Sequence, residues 1–113
     1  MAFVYLIGSY NDDNYWKIGV TTKKHIDERL KELQTGNAEH LFLKDYFETS
    51  KPFLIEKMMH NRYAHKNVLN EWFELDKDDV RDFKKTCQFY QDTIDALKDN
   101  DVFNKRKSIQ FQY

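Results

Sequence analysis

Two short apolar segments near the start of the chain constrain its fold more than any other feature. Residues 3–8 and 15–20 are rich in aromatic and β-branched side chains, which favour β-strands. Between them lies Asn11-Asp12-Asp13-Asn14, and Asn and Asp are typical of turns. Two strands joined by a turn form an antiparallel hairpin, so the chain is predicted to begin with one.

Three later segments have the apolar spacing of amphipathic helices. The first follows the hairpin at residues 26–33, and the second follows a predicted third strand at residues 40–47. Asp76 and Asp79 have the spacing of a capping box for the third helix. Its apolar stripe, with steps of three and four residues, comprises Val80, Phe83, Cys87, Tyr90, Ile94 and Leu97.

The predicted fold class is α/β, of the α+β kind. A small, mostly antiparallel, three-stranded sheet is flanked by helices, with a long C-terminal helix laid against it. Residues 1–75 form the predicted core, in which 65–70 is a loop and 71–75 a short strand or extended segment. Residues 76–113 form a C-terminal helix and tail on the same single domain, and alternation at 109–113 is typical of a terminal strand.

Composition excludes several classes of protein. A chain of 113 residues suits one domain, and its 41% hydrophobic content supports a packed core. The only cysteine, Cys87, rules out an internal disulfide and a cysteine-based zinc cluster. No apolar run is long enough for a transmembrane helix, and the first residues lack the basic region of a signal peptide. We therefore expect an intracellular protein without membrane association.

The distribution of charge is uneven although the net charge is only −1. Residues 17–31 hold five basic and two acidic residues, and residues 51–66 hold four basic and one acidic. Residues 76–101 hold eight Asp against five basic residues. The first two thirds are therefore predicted to present a basic face to a polyanion, with a mixed solvated surface as the alternative.

Four polar residues stand at particular points of the predicted fold. Tyr5 and Lys17 lie on the paired strands, Arg29 on the first helix and Glu56 on the second. Phosphodiester cleavage needs a base for water, a cation for the phosphate, a metal, and a carboxylate to hold that metal. Because Mg²⁺ is often held by one or two carboxylates, a lone glutamate is compatible with a metal site.

Four motifs occur in order along the chain: Phe3-Val4-Tyr5, Lys17-Ile18-Gly19-Val20-Thr21, Glu28-Arg29-Leu30-Lys31 and Glu56. Together they resemble the GIY-YIG endonuclease superfamily over residues 3–75. The resemblance is closest to the small phage- and virus-encoded branch, in which the second motif reads Lys-Ile-Gly and a Glu-Trp-Phe ends the core.

This resemblance implies a divalent-metal-dependent DNA endonuclease that hydrolyses phosphodiester bonds, with Mg²⁺ or Mn²⁺ as cofactor and DNA as partner. Tyr5 would activate or orient the attacking water, Arg29 would contact the scissile phosphate, and Glu56 would bind the metal. Each residue also has a structural interpretation. Tyr5 is then a half-buried strand residue, Arg29 is paired with Asp27 or Glu32, and Glu56 is solvated beside His60 or Lys57.

The chain also departs from the family pattern. Lys17 replaces the tyrosine of the second motif, so it can stabilise phosphate charge but cannot donate a phenol. Several catalytic members carry a histidine one turn after the arginine, where this chain has Leu33. His60, one turn after Glu56, is a candidate for proton transfer, with a structural role as the alternative. The family often places an asparagine after the glutamate, for which Asn67 and Asn70 are candidates.

The basic residues of the first helix region suggest how a nucleic acid would bind. Lys23, Lys24 and Lys31 are predicted to contact DNA phosphates. The alternative function is a catalytically weak or inactive GIY-YIG-like module that binds DNA or a protein partner. The C-terminal helix or tail is in addition a candidate homodimer interface.

Overall fold

The hairpin predicted at the start of the chain forms the centre of a five-stranded antiparallel sheet. The computed structural model describes residues 1–98. Its strands are β1 (Ala2–Ser9), β2 (Asp12–Thr21), β3 (Leu41–Thr49), β4 (Asn67–Leu69) and β5 (Trp72–Glu74), in the sheet order β3-β1-β2-β5-β4. Its helices are α1 (Ile26–Thr35), α2 (Pro52–Arg62), α3 (Lys77–Arg81) and α4 (Phe83–Lys98), with a 3₁₀ turn at Ala64–Lys66.

The predicted α+β class and the long C-terminal helix are confirmed, but the sheet has five strands instead of three. The segment predicted as a loop contributes β4, and the short segment after it is β5. All three residues of β4 are exposed, so this strand has no buried face that would appear as apolar alternation in the sequence. The side-chain amide of Asn67 closes this hairpin by donating to the carbonyls of Asn70 (2.8 Å) and Trp72 (3.1 Å).

The two faces of the sheet are covered unequally. Val4 and Leu6 of β1 point into the larger core, where β2, β3, β5, α2 and the C-terminal helices supply other buried side chains. Tyr5 and Ile7 point to the opposite face, where they pack beneath α1. No residue of α1 is itself buried, so this second face is only partly closed.

The C-terminal helical segment is broken once, at Asp82, between α3 and α4. The predicted capping box is present, since the Asp79 amide donates to Asp76 at 2.8 Å and the Asp76 amide donates to Asp79 at 3.2 Å. The predicted stripe packs on the larger core through Val80, Phe83, Cys87, Tyr90 and Ile94, whereas its last member, Leu97, is 40% exposed. The strand predicted at 109–113 lies outside the described residues.

None of the helices within residues 1–98 has the length and apolar character needed to cross a membrane.

Replacing Phe83 by alanine tests whether α4 is part of the core. Phe83 is 1% exposed, so Phe83→Ala should lower the free energy of unfolding by about 3–5 kcal/mol. Phe89, on the same helix but 59% exposed, is the matched control, and Phe89→Ala should change it by less than about 0.5 kcal/mol. Urea denaturation of both variants measures the difference, and equal losses would contradict the packing.

Candidate active site

The site is built around a tyrosine that lies across a glycine. Tyr5 of β1 pairs directly with Gly19 of β2, and the Tyr5 side chain is fully buried. A Cβ atom placed on Gly19 would lie 2.5 Å from Cζ of Tyr5, closer than real contacts allow. Because glycine has no side chain, the phenol ring of Tyr5 can lie directly over this position of the neighbouring strand.

Arg29 of α1 meets the end of the Tyr5 side chain. Burial raises the pKa of the Tyr5 phenol, and the adjacent Arg29 guanidinium offsets part of that rise. Their approach nevertheless lacks the geometry of a formed hydrogen bond. Oη of Tyr5 and Nε of Arg29 are the two buried side-chain polar atoms within residues 1–98 that have no hydrogen-bond partner. Such atoms are costly to bury, so both are suited to a polar ligand such as water or a phosphate oxygen.

Glu56 of α2 acts electrostatically on Tyr5 from another element. Its side chain is partly buried, and its carboxylate lies within hydrogen-bonding reach of Glu71. Burial, and then the like charge of Glu71, raise the pKa of Glu56, whereas His60 and Lys17 act in the opposite direction. The expectation of a lone carboxylate is therefore wrong, because a second one lies beside it.

Lys17 is held by that second carboxylate. Its Nζ atom lies 2.6 Å from Oε2 of Glu71, and the Lys17 side chain is only 14% exposed. The backbone is tied at the same point, because the amide of Ile18 donates to the carbonyl of Glu71 at 3.0 Å. The lysine that replaces the second motif's tyrosine thus points into the site as half of an ion pair.

His60 uses one ring nitrogen to hold the sheet. Its Nε2 atom lies 2.9 Å from the carbonyl oxygen of Ile18. A carbonyl only accepts, so Nε2 carries the proton and donates it. The ring also packs against Phe73, with centroids 4.9 Å apart. These contacts fit the structural interpretation of His60, and its part in proton transfer stays a prediction.

The other basic residues predicted to bind DNA lie around the site instead of inside it. Lys23 is paired with Glu32 at 3.1 Å, and the same carboxylate lies 3.8 Å from Arg29. The pairing of Arg29 with Glu32 and its approach to Tyr5 therefore coexist. Lys24 and Lys31 are exposed. The three lysines share the α1 side of the molecule, next to the only partly closed face of the sheet.

Glu71 is the residue that sequence reasoning missed. Asn67 and Asn70, the candidates for the asparagine that the family places after its glutamate, both lie in the β4–β5 hairpin. Asn67 donates twice to backbone carbonyls there, and Asn70 occupies the left-handed region with φ 50°. A signal was nevertheless present in the sequence. When residues 71–75 pair with β2, Lys17 faces Trp72 across the strands. Glu71 precedes Trp72, so its negative charge lies next to the positive charge of Lys17.

The residues that come together fit a hard divalent cation. The Glu56 carboxylate supplies the oxygen ligand that Mg²⁺ prefers, and the same carboxylate acts electrostatically on Tyr5, whose Oη has no partner. No group of three or more His, Cys, Asp or Glu side chains is arranged around a metal position among the described residues. A cation here would therefore keep a largely aqueous shell, as Mg²⁺ commonly does.

A family model described as the T5orf172 domain matches residues 2–88 of the chain. This span includes every residue of the site and the first part of α4. No curated protein and no solved structure matches the chain significantly.

Alanine at Gly19 tests the contact on which the site rests. The added methyl group would overlap the Tyr5 ring, so Gly19→Ala should lower the free energy of unfolding by about 1–3 kcal/mol. Gly36→Ala is the matched control, because that site has no atom within 4 Å and a φ of −94°. The control should be neutral or stabilising by about 0.4–1 kcal/mol. Thermal or urea unfolding distinguishes them, and an equal response would contradict the close packing.

Proposed function

Because the chain belongs to the T5orf172 domain family, a phage-derived domain related to GIY-YIG nucleases, we propose that it is a divalent-metal-dependent DNA endonuclease. One observation carries the proposal. Tyr5 Oη and Arg29 Nε are buried without partners, the Glu56 carboxylate acts electrostatically on Tyr5, and Lys17 acts electrostatically on Glu56. A phosphodiester and its attacking water supply what these groups lack.

The reaction would be hydrolysis of one phosphodiester bond. The oxygen of water bonds to phosphorus, and the bond from phosphorus to one ester oxygen breaks. The departing ester oxygen takes up a proton, which the attacking water supplies. Negative charge grows on the other phosphate oxygens during this step, and the Arg29 guanidinium is placed to stabilise it. Because burial raises its pKa, Tyr5 stays protonated at neutral pH and orients water through its hydroxyl.

Glu56 would hold Mg²⁺ or Mn²⁺ by its carboxylate. The bound cation would supply Lewis-acid stabilisation of the phosphate oxygens. Lys17 adds a second positive charge on the β2 side of the site, opposite Arg29 on α1. The scissile phosphate would then lie between two cationic side chains supplied by different elements.

DNA would be bound chiefly through its backbone. Lys23, Lys24 and Lys31 are suited to phosphate contacts, which position a duplex without reading its sequence. The alternative is a catalytically inactive module that binds DNA or a protein partner. The Lys17–Glu71 ion pair favours this alternative, because Lys17 stands where the family has its second tyrosine. Self-association through α4 or the tail stays a prediction.

Three substitutions separate an enzyme from an inactive relative. Arg29→Ala should lower cleavage by about 100-fold or more while changing DNA affinity much less, since the charge it stabilises grows in the transition state. Glu56→Gln should abolish metal-dependent cleavage, and Tyr5→Phe should slow it without weakening binding. Nicking of supercoiled plasmid in Mg²⁺ or Mn²⁺ measures all three.

Arg81 and Glu74 provide matched controls for this assay. Both side chains are exposed, and Arg81 is engaged with Asp78 and Asp82 on α3, so Arg81→Ala and Glu74→Gln should cleave as wild type does. If purified wild-type protein cleaves nothing in either metal, the inactive module is the correct interpretation. Nicking that survives Glu56→Gln unchanged would mean a contaminating nuclease and would remove the enzyme assignment.

Salt dependence tests the predicted DNA interface. Wild-type affinity should fall steeply with salt, because cations on the protein displace counterions from phosphates. The double variant Lys24→Ala/Lys31→Ala should reduce the log–log slope by about 2, at roughly 0.9 for each phosphate that is no longer neutralised. Lys77→Ala on α3 should leave the slope unchanged. Fluorescence anisotropy with a labelled duplex measures it, and a flat salt response in wild type would exclude this mode of binding.

A further inference from the structure

The carboxylate of Glu71 occupies an unexpected place for a site that is to receive a phosphate. It lies 2.6 Å from Lys17 and within hydrogen-bonding reach of Glu56. Arg29 and Tyr5 also lie within its electrostatic influence. A negative charge at this position repels phosphate unless a cation neutralises it. An anionic residue is therefore expected here only if it has a role in the site.

Two further observations indicate that Glu71 is held in place for a ligand. Its backbone carbonyl accepts the Ile18 amide at 3.0 Å, which fixes the residue against β2 next to Lys17. In addition, Tyr5 is 0% exposed, its Oη atom has no partner, and both carboxylates act electrostatically on it. A buried hydroxyl without a partner indicates a missing polar ligand, such as a cation's water, within range of the two carboxylates.

We propose that Glu71 is a second carboxylate ligand of the divalent cation, and that Lys17 is its counter-ion while the metal is absent. This inference rests on the proposed function, which requires a cation at Glu56. When the cation binds, it replaces Lys17 as the positive charge beside Glu71. The ammonium group is then free to turn toward the phosphate of the substrate.

The contacts explain why one charge would exchange for the other. Two adjacent carboxylates in a partly buried site repel each other, and a cation between them relieves the repulsion. Lys17 supplies one positive charge, whereas a divalent ion supplies two and can be coordinated by carboxylate oxygens of both glutamates. Lys17 and the metal therefore compete for the same carboxylate, so removing the lysine should strengthen metal binding.

Binding of Mn²⁺ to the full chain without DNA tests this directly, by calorimetry and by the electron paramagnetic resonance signal of free Mn²⁺. Glu71→Gln should weaken affinity by about 10-fold, as Glu56→Gln should, because each removes one charged ligand. Lys17→Met should strengthen affinity several-fold. The exposed residues Glu74 and Lys77 provide the controls Glu74→Gln and Lys77→Met, which should bind as wild type does.

A double variant keeps the test informative if loss of the ion pair also affects stability. In the Glu71→Gln background, Lys17→Met should no longer strengthen Mn²⁺ binding, because the carboxylate for which lysine competes is gone. Circular dichroism of each variant with and without Mn²⁺ reports whether the fold is retained. An undiminished strengthening in this background would overturn the counter-ion role of Lys17.

The outcomes distinguish this inference from the proposed function. If Glu71→Gln binds Mn²⁺ as wild type does while Glu56→Gln does not, the second ligand is overturned and the metal site at Glu56 stands. If Glu56→Gln also binds as wild type does, the proposed metal site fails as well. Unchanged or weaker binding by Lys17→Met overturns the competition, and so does wild-type protein that binds no Mn²⁺ at millimolar concentration.

Discussion

The close contact between Tyr5 and Gly19 is the constraint on which the site depends. Directly paired residues of an antiparallel hairpin project to the same face, and here one of them has no side chain, so the phenol lies across the neighbouring strand. A slip of one residue in this register would turn Tyr5 into the larger core. Arg29 lies on α1, which covers the face where Tyr5 now lies, so the guanidinium would then have no hydroxyl beside it.

Balanced charge is the second organising feature of the site. Two cationic side chains, Lys17 and Arg29, converge with two carboxylates, Glu56 and Glu71, from four different segments of the chain. The partial burial of these groups strengthens their mutual interaction relative to that of surface charges. The two positive and two negative charges therefore offset one another within the site.

The sequence predicted much of this arrangement because its main elements have strong periodic patterns. The hairpin and the three amphipathic stretches follow from alternation and helical spacing. The family resemblance in addition named Tyr5, Arg29 and Glu56 as candidate site residues. The relation to GIY-YIG nucleases is confirmed at the level of the domain family. The missed features are those without a pattern: β4 has only exposed residues, and Glu71 acquires its role through pairing with a distant strand.

The unequal covering of the sheet has a consequence for the motions of the protein. Strand β1 is mostly buried and is paired on both edges. In contrast, α1 contributes no buried residue, and its Gln34 side chain accepts the amide of Leu41 at the start of β3 at 2.8 Å. Local opening costs least where it exposes little apolar surface, so α1 should detach from the sheet without global unfolding. Amide hydrogens of α1 would then exchange with solvent faster than those of β1. Arg29 thus lies on a less stable element than Tyr5, and a bound polyanion that engages both would slow the exchange across the whole helix.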